Sequence, residues 1–498
     1  MDESALLEKI RSLEKILEQK EEKIQSLEES IRILRNTIFG RSSEKRNFDA
    51  MAKEQSSLFN EAENTIFEEI KSPCLFSGKE RGKPGGRSPI PPEIPRIEEP
   101  LQPAEKKLTC RHCNTKLKKI GEEVTEKLEI IPEKIYVRKI IRPKYKCPCC
   151  ETEPAEIIIE PLPGTLLPKA APGAGFMAYA IKQKYFDRIP YYHYAKNLGY
   201  AGVDISRWDL SRWSMDVFEK HLEEPLNLLR KALFRTDYIQ GDETRLKVLE
   251  LSGVQFIWTF HGNLNDKKIA FYHYLDSRSA GFLKDWLKEF SGVFQSDGYG
   301  SYNTHLNPMP NVIHAGCNVH ARRKFTECDP GPEVDHVLEE YSKLYKIEAE
   351  LEKANAPPDE ILRVRKEKSL PVLQGLRDTM NRWGLSFRPG GNFGKAVKYF
   401  LNEYEKLIVY VDYPHVRPDT NLVENDIRPF AVGRKCWLFS GNEAGAKASA
   451  GYFTLVQIAN LNGWDPYQFL LDLFLDIEAS DSNIDLVDFI SRYQTVRP

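Results

Sequence analysis

Three neighbouring segments of this chain alternate apolar and polar residues with a period of two, a pattern that predicts β-strands. They are DYIQGDETRLKVLE, VQFIWTFHGN and KKIAFYHYLD, and short loops join them. A helical segment, SAGFLKDWLKEF, and a fourth strand, GVFQSDG, follow. This order restricts the region to a core of α and β elements, with three strands in a meander before the helix.

That order is typical of a ribonuclease-H-like fold, in which one acid lies on the first strand and a second at the tip of the fourth. Asp242 and Asp297 occupy these two positions. Because side chains alternate along a strand, Asp242 shares a face with Gln240, whereas Glu243 points to the other side. Asp237 is a further acid of the first strand, but it lies at the strand's start.

A third acid lies in the segment NLVENDIRPFAVGRKCWLFSG. With the first part of this segment helical, Glu424 shares a polar face with Asn421 and Arg428, and Asp426 falls outside that face. Glu424 is therefore the preferred third acid. Pro429 is expected to end the helix.

Carboxylates that converge from separate elements can hold two divalent metal ions about 4 Å apart for phosphoryl transfer. The acids Asp242, Asp297 and Glu424 therefore predict a site that cuts polynucleotides. Far more chain separates Asp297 from Glu424 than a minimal fold of this class needs, and its helical periodicity predicts an all-helical insertion.

The segment HAGCNVHARRKF precedes this insertion. The spacing of His314, Cys317 and His320 is compatible with a second zinc site, but a buried strand leading into a basic helix explains it more simply. Basic residues here and after Glu424 are candidates for contacts with the DNA backbone or the scissile phosphate. These candidates are Arg322, Arg323, Lys324, Arg428, Arg434 and Lys435.

A helix-turn-helix pattern lies upstream, in RIPYYHYAKNLGYAGVDISRWDLSRWSMDVFEK. Gly199 and Gly202 permit a tight turn, and Ser206 can cap the second helix. Arg207 and Arg212 lie near the start of this candidate recognition helix. Because ordinary helical bundles produce the same pattern, DNA binding and plain structural packing are both compatible with it.

Two cysteine pairs, Cys110 with Cys113 and Cys147 with Cys150, bracket a strand-rich segment. Paired CxxC spacing supplies the four thiolates of a tetrahedral zinc site, and a segment this short has few other means of stabilisation. Cys149 is a fifth candidate, which the spacing leaves as a spare thiol or an alternative ligand. Zinc binding is predicted here, in preference to disulfides.

The first residues carry a heptad-like seam of leucine and isoleucine from Leu6 to Ile38, interrupted only at Lys20. Such a stripe cannot be buried by one helix alone, which favours a self-associating coiled coil over a helix docked on its own protein. A polar, proline-rich tract follows, with a basic face that is either simply solvated or touches DNA.

The net charge of −2 over 498 residues means that any affinity for nucleic acid must come from local basic patches. No apolar run reaches the length of a membrane span, and the first residues do not resemble a secretory signal. A cytoplasmic, nucleoid-associated protein is expected.

Taken together, these motifs resemble the insertion sequence sixty-six family of bacterial DDE transposases. The resemblance runs from about Ile33 to Leu471. It is carried by FGRSSEK, KPGGRSPIPPEIPR, the double CxxC, the helix-turn-helix segment, GDET, QSDGYGSY, GCNVHARRKF, NLVENDIRPFAVGRKCWLFSGNEAGAKASA and LNGWDPYQFLL. It implies that Asp242, Asp297 and Glu424 are the catalytic triad and bind Mg²⁺ or Mn²⁺.

The expected organisation is multidomain α+β, with a ribonuclease-H-like catalytic core that contains a helical insertion. The expected parts are a coiled coil at 1–40, a basic proline-rich linker at 41–106, a zinc-binding domain at 107–152, a helix-turn-helix domain at 153–225, the first part of the core at 233–335, the insertion at 336–405, the last part of the core with the third acid at 406–445, and a C-terminal helical element at 446–498.

The expected function is metal-dependent cleavage at the 3′ ends of a transposon and joining of those ends to target DNA. Double-stranded DNA is the expected partner, as terminal inverted repeats and as target, together with other copies of this chain. The resemblance also suggests accessory proteins of the same element. A stand-alone nuclease and a catalytically inactive, transposase-derived DNA-binding protein are the alternatives.

Overall fold

The computed structural model describes residues 135–141, 144–146, 157–159, 164–168, 170–384, 391–480 and 484–494. The predicted coiled coil at 1–40 and the linker at 41–106 lie outside the described residues. So do the predicted zinc ligands Cys110, Cys113, Cys147 and Cys150.

A strand pair and a group of helices precede the main sheet. Strands β1 (Lys144–Lys146) and β2 (Ile157–Ile159) pair antiparallel. The helices are α1 (Ala174–Tyr185), α2 (Tyr191–Tyr200), α3 (Arg207–Val217) and α4 (Glu223–Leu233), and a π-helical turn, Phe218–Leu222, joins α3 to α4.

The connection between α2 and α3 has the predicted cap and a turn at Gly202, whereas Gly199 lies within α2. Gly202 has a φ of 79°, a left-handed conformation that glycine adopts without a steric penalty. Ser206 is the N-cap of α3, and its side chain accepts a hydrogen bond from the backbone N–H of Asp209 at 3.1 Å. The predicted cap is confirmed, and it starts α3 at Arg207.

A five-stranded sheet forms the centre of the chain. The predicted meander is present as β3 (Tyr238–Leu246), β4 (Gln255–Leu264) and β5 (Lys267–Leu275). After it come a 3₁₀ turn (Ala280–Phe282), α5 (Leu283–Trp286), β6 (Gly292–Gln295), α6 (Gly300–Leu306) and β7 (Val312–Ala315). The helix predicted over SAGFLKDWLKEF is thus shorter than expected. Leu283, Leu287 and Phe290 still bury their side chains, and the chain turns at Phe290 to enter β6.

The strand order in the sheet is β5-β4-β3-β6-β7. The strands β3, β4 and β5 are antiparallel neighbours, whereas β6 runs parallel to β3, and β7 runs parallel to β6. Because β3 is the central strand, its residues meet both the antiparallel and the parallel half of the sheet.

Helices fill the described part of the chain after β7. They are α7 (Asn318–Thr326), α8 (Pro332–Lys353), α9 (Pro358–Val364), a π-helical turn (Arg365–Ser369), α10 (Leu370–Gly384), α11 (Asn392–Leu407), a 3₁₀ turn (Val409–Asp412), α12 (Asn421–Trp437), α13 (Glu443–Leu461), α14 (Pro466–Ala479) and α15 (Leu486–Arg492).

Two large hydrophobic cores pack the helices against the sheet and against one another. The larger core joins the sheet to α1, α4, α13 and α14, with Trp258 and Phe260 fully buried. The smaller core lies among α7, α8, α10 and α11, around Phe325, Tyr341 and Phe400. Within the described residues, no helix combines the length and the apolar character that crossing a membrane requires.

Pro429 does not end its helix, so that prediction was wrong. It lies inside α12, which continues to Trp437. A proline inside a helix removes one hydrogen bond and costs about 3 kcal/mol. The next two residues, Phe430 and Ala431, are buried, and Phe430 packs against Phe453 of α13. Burial of this face of α12 offsets the free-energy cost of Pro429 inside the helix. Helix propensity, read from the sequence alone, does not include this burial.

Candidate active site

Asp242 and Asp297 both follow the last paired position of two parallel strands. Gln240 on β3 is paired with Gln295 on β6. Asp242 and Asp297 each come two residues after one of these glutamines, so they continue on the same face of neighbouring chains that run about 5 Å apart. Both aspartates are half-buried. Asp242 accepts a hydrogen bond from the backbone N–H of Glu243 at 2.8 Å, and Asp297 accepts one from that of Tyr299 at 3.0 Å.

The same two glutamines attach the helix that carries the third acid. Gln240 Nε2 donates to Gln295 Oε1 at 2.9 Å and to the carbonyl of Asp419 at 2.8 Å. Gln240 Oε1 accepts from the backbone N–H of Val423 at 3.1 Å. Gln295 Nε2 donates to the carbonyls of Gly316 and Arg417. The start of α12 is therefore held against the face of the sheet that carries Asp242.

Glu424 lies in the first turn of α12 and is buried. Its Oε1 accepts a hydrogen bond from Thr420 Oγ1 at 3.3 Å and lies 3.6 Å from Nδ1 of His320. Val423 and Ile427, the predicted apolar stripe, are fully buried. The helical geometry thus separates Glu424 from its apolar neighbours as the sequence predicts.

The pKa of Asp242 reflects its burial and three neighbouring carboxylates, two of which are Asp297 and Glu424. Burial raises the pKa of Asp242 well above its ordinary value, and the nearby carboxylates raise it further, whereas His320 lowers it. In order of size the contributing carboxylates belong to Glu243, Asp297 and Glu424. Acids that repel one another in a half-buried site are stabilised by a cation, and carboxylate oxygens are the ligands that Mg²⁺ and Mn²⁺ prefer. The donor set therefore fits a hard divalent cation.

Glu243 lies on the opposite face of β3 and has its own partners. Arg278 Nε donates to it at 2.7 Å, and the hydroxyl of Tyr302 donates at 2.8 Å. Burial and the nearby Asp297 together raise the pKa of Glu243 to about 7, although Arg278 and Tyr302 lower it. Its role is to hold the loop after β5 and helix α6 against the sheet.

Asp426 contacts residues of the sheet other than the three acids. Its Oδ2 lies 2.6 Å from Nδ1 of His261 on β4, and both side chains are buried. Its backbone carbonyl accepts a hydrogen bond from the hydroxyl of Tyr272. Asp426 therefore joins α12 to strands β4 and β5 of the sheet. No feature of the sequence around His261 singles it out as the partner.

The predicted DNA-contacting residues differ in exposure. Arg207 and Arg212 are exposed on α3, where Arg207 lies over the ring of the exposed Trp208 and Arg212 pairs with Asp209. Arg322, Arg323, Lys324, Arg428 and Lys435 are half-buried. Arg434 is buried, so it is the least accessible of the set to a duplex.

The zinc-like spacing of His314, Cys317 and His320 does not bring these three residues together. His314 lies on β7, and its Nε2 is 2.9 Å from the hydroxyl of Ser296. Cys317 and His320 instead converge with Glu424. The strand and the basic helix expected here are β7 and α7.

Comparison with known proteins agrees with the motifs. A family model described as "Transposase IS66 family" matches residues 169–448, which include the three acids and the sheet. The chain belongs to the IS66 transposase family. A model for the "zinc-finger binding domain of transposase IS66" matches residues 107–151, and one described as "Transposase C of IS166 homeodomain" matches residues 26–98. This IS66-family chain therefore contains a zinc-finger domain, whose ion is Zn²⁺.

Relatives of this IS66-family protein occur in Sinorhizobium fredii (strain NBRC 101917 / NGR234). The chain is 27% identical over 419 residues to "Uncharacterized protein y4jD", covering 80% of each chain. It is 26% identical over 472 residues to "Uncharacterized protein y4qI", covering 90% of this chain and 85% of the relative. The likeness therefore extends over most of both chains.

Proposed function

We propose that this IS66-family protein is an active DDE transposase that frees the 3′ ends of an insertion sequence and joins them to target DNA. The observation that carries the proposal is the placement of three carboxylates from separate elements. Asp242 on β3 and Asp297 after β6 each come two residues beyond the paired Gln240 and Gln295, and the helix of Glu424 is bonded to β3 through Gln240.

We assign the catalytic core to the ribonuclease-H-like class. In support, an antiparallel meander is followed by two strands parallel to its first strand, in the order β5-β4-β3-β6-β7. The first acid lies on β3, the second follows β6, and the third lies on the helix α12 that packs on β3. The helices α8 to α11 form the insertion between the second and third acids.

The residues that would hold two Mg²⁺ or Mn²⁺ ions are Asp242, Asp297 and Glu424. When bound, such ions activate the attacking water or 3′ hydroxyl and stabilise the leaving oxygen. The chain itself orients the carboxylates through the backbone N–H groups of Glu243 and Tyr299 and through the Gln240 network. Both aspartates are half-buried, which leaves part of each residue exposed to solvent.

Recognition of the ends is assigned to the modules before the core. Helix α3 presents Arg207 and Arg212 on an exposed face, and the zinc-finger domain supplies a second contact. The coiled coil at 1–40 would pair two chains and so two ends. Arg322, Arg323, Lys324, Arg428 and Lys435 are proposed to contact the DNA backbone near the cut. We also propose that the protein acts with accessory proteins of the same element and is located at the nucleoid.

The test is a cleavage and joining assay on labelled DNA that carries the element's terminal repeats, with the full-length protein and Mg²⁺. We expect nicks at the 3′ ends and products joined to a target duplex, both lost when the divalent ion is chelated. Binding without cleavage would indicate a DNA-binding protein that has lost catalysis. Cleavage without joining would indicate a nuclease.

A further inference from the structure

Three metal-ligating side chains meet beside the proposed catalytic acids. The Sγ of Cys317, a ring nitrogen of His320 and a carboxylate oxygen of Glu424 all lie within 4.8 Å of one another. Among the described residues, these three form the one group of His, Cys, Asp or Glu that is this close. The carboxylates of Asp242, Asp297 and Glu424 are spaced more widely than this.

Local structure explains why the cluster forms. Cys317 is the N-cap of α7, so His320 follows on the same side of the helix, one turn later. Thr420, the N-cap of α12, donates to the Cys317 sulfur from both its backbone N–H, at 3.3 Å, and its hydroxyl, at 3.2 Å. The same hydroxyl reaches Glu424 at 3.3 Å. Thr420 thus joins the starts of the two helices and brings a sulfur to the third acid.

The chemistry of this group differs from that of the catalytic acids. A sulfur, an imidazole nitrogen and one carboxylate oxygen suit Zn²⁺, which binds such ligands at about 2.0 to 2.3 Å in tetrahedral geometry. Ligand atoms around such an ion lie roughly 3 to 4 Å apart. The distance from His320 Nδ1 to Glu424 Oε1 is already 3.6 Å. Mg²⁺, by contrast, takes oxygen ligands in octahedral geometry.

We propose that Cys317, His320 and Glu424 form a binding site for Zn²⁺ or another thiophilic divalent cation, separate from the zinc finger. Cys317 and His320 are buried and Glu424 is nearly so, which limits the access of water, and both His320 and Glu424 are close enough to Asp242 to shift its pKa. When Glu424 ligates an ion at this site, it is no longer available as a ligand for Mg²⁺ or Mn²⁺ beside Asp242 and Asp297. Zn²⁺ therefore inhibits strand cleavage; this consequence rests on the proposed function, whereas the binding does not.

The experiment counts metal in the full-length protein. Wild type, Cys317→Ser and Cys436→Ser are loaded with Zn²⁺, freed of excess ion and measured by atomic emission. We expect Cys317→Ser to hold about one ion per chain fewer than wild type. Cys436→Ser is the matched control because Cys436 is an exposed free cysteine outside the cluster, and it should hold as much as wild type. Loading with Co²⁺ should give a thiolate charge-transfer band that Cys317→Ser partly loses.

A second variant, His320→Asn, guards against misfolding of the first. Circular dichroism establishes which variants fold. Each folded variant of Cys317 or His320 should hold about one Zn²⁺ ion per chain fewer than wild type. Cys110→Ser should lose the Zn²⁺ ion of the zinc finger instead, and it should keep the part of the Co²⁺ band that depends on Cys317. Equal metal content in wild type, Cys317→Ser and His320→Asn would overturn the proposal. If metal binding follows the expectation but the protein cuts no DNA, the site stands and the proposed function fails.

Discussion

Gln240 and Gln295 are joined side chain to side chain at 2.9 Å, two residues before Asp242 and Asp297 respectively. The pair is fully buried, and Gln240 also bonds to the carbonyl of Asp419 just before α12 and to the backbone N–H of Val423 in its first turn. One amide thus connects the strands of the first two acids to the helix of the third. The relative position of the three carboxylates depends on this link.

The first prediction concerns this link. Gln240→Leu removes the hydrogen bonds to Asp419 and Val423 without emptying the space, so Glu424 should shift relative to Asp242. We expect strand cleavage to fall by about 10- to 100-fold, with end binding unchanged. Gln255→Leu is the matched control: Gln255 is also a buried amide of this sheet, bonded to Val248 and Ser252, but it lies away from the acids. Equal loss of cleavage in both variants would indicate a general loss of stability.

The second prediction concerns the acids themselves. Asp242→Asn, Asp297→Asn and Glu424→Gln keep side-chain size but remove the charges that would hold the ions, so each should abolish cleavage on labelled end DNA. A gel shift should show nearly normal binding. Asp237→Asn is the control, because Asp237 belongs to the same region but is exposed beside His415 at the start of β3. Full activity in the three acid variants would remove the catalytic proposal.

The third prediction concerns recognition by α3. Arg207→Ala should weaken binding to the ends and lower the slope of log affinity against log salt by about one, because one phosphate contact is lost. Arg212→Ala should have a smaller effect, since Asp209 already neutralises Arg212 at 2.7 Å. Binding titrations at several salt concentrations measure both slopes. An unchanged slope for Arg207→Ala would count against α3 as a DNA-binding helix.

The fourth prediction separates Asp426 from catalysis. Asp426→Asn weakens the buried contact with His261, so the free energy of unfolding in urea should fall by about 1 to 3 kcal/mol. Cleavage by the folded variant should persist, because Asp426 faces His261 and not the proposed metal-binding acids. The double variant His261→Leu with Asp426→Leu should lower the free energy of unfolding by less than the sum of the two single variants. Loss of cleavage at full stability would show that the third acid has been misassigned.

The fifth prediction is a pH dependence of stability. Burial, with a smaller contribution from Lys406, lowers the pKa of His314 from the ordinary 6.5 to about 3. The unfolded chain therefore takes up this proton first as the pH falls, so the stabilisation is complete above about pH 6.5 and is lost progressively toward pH 3. His314→Gln, which can still reach Ser296, should flatten this acid-side loss by an amount on the order of 3 kcal/mol. Urea unfolding between pH 4 and 7 measures the slope, and an unchanged slope would contradict the assignment.

Local rules were sufficient for much of this protein. Alternation along a strand separates Asp242 from Glu243, and the two residues have different partners in the structure. Helical spacing separates Glu424 from Asp426 in the same way. Ser206 caps α3 as predicted. Each of these features depends on residues that are close together in the chain, where periodicity and capping chemistry determine the geometry.

The sequence by itself determined the strands, the faces of the acids and the family motifs, whereas only the tertiary structure decided how distant segments meet. Local signals placed the end of α12 at Pro429, but packing of Phe430 against α13 carries the helix to Trp437. The sequence spacing placed Cys317 between His314 and His320 without indicating a contact with Glu424, to which Thr420 joins it in the structure. The contact between Thr420 and Cys317 joins residues 103 positions apart. The geometry of such contacts depends on strand register and on burial of whole faces, which no local pattern encodes.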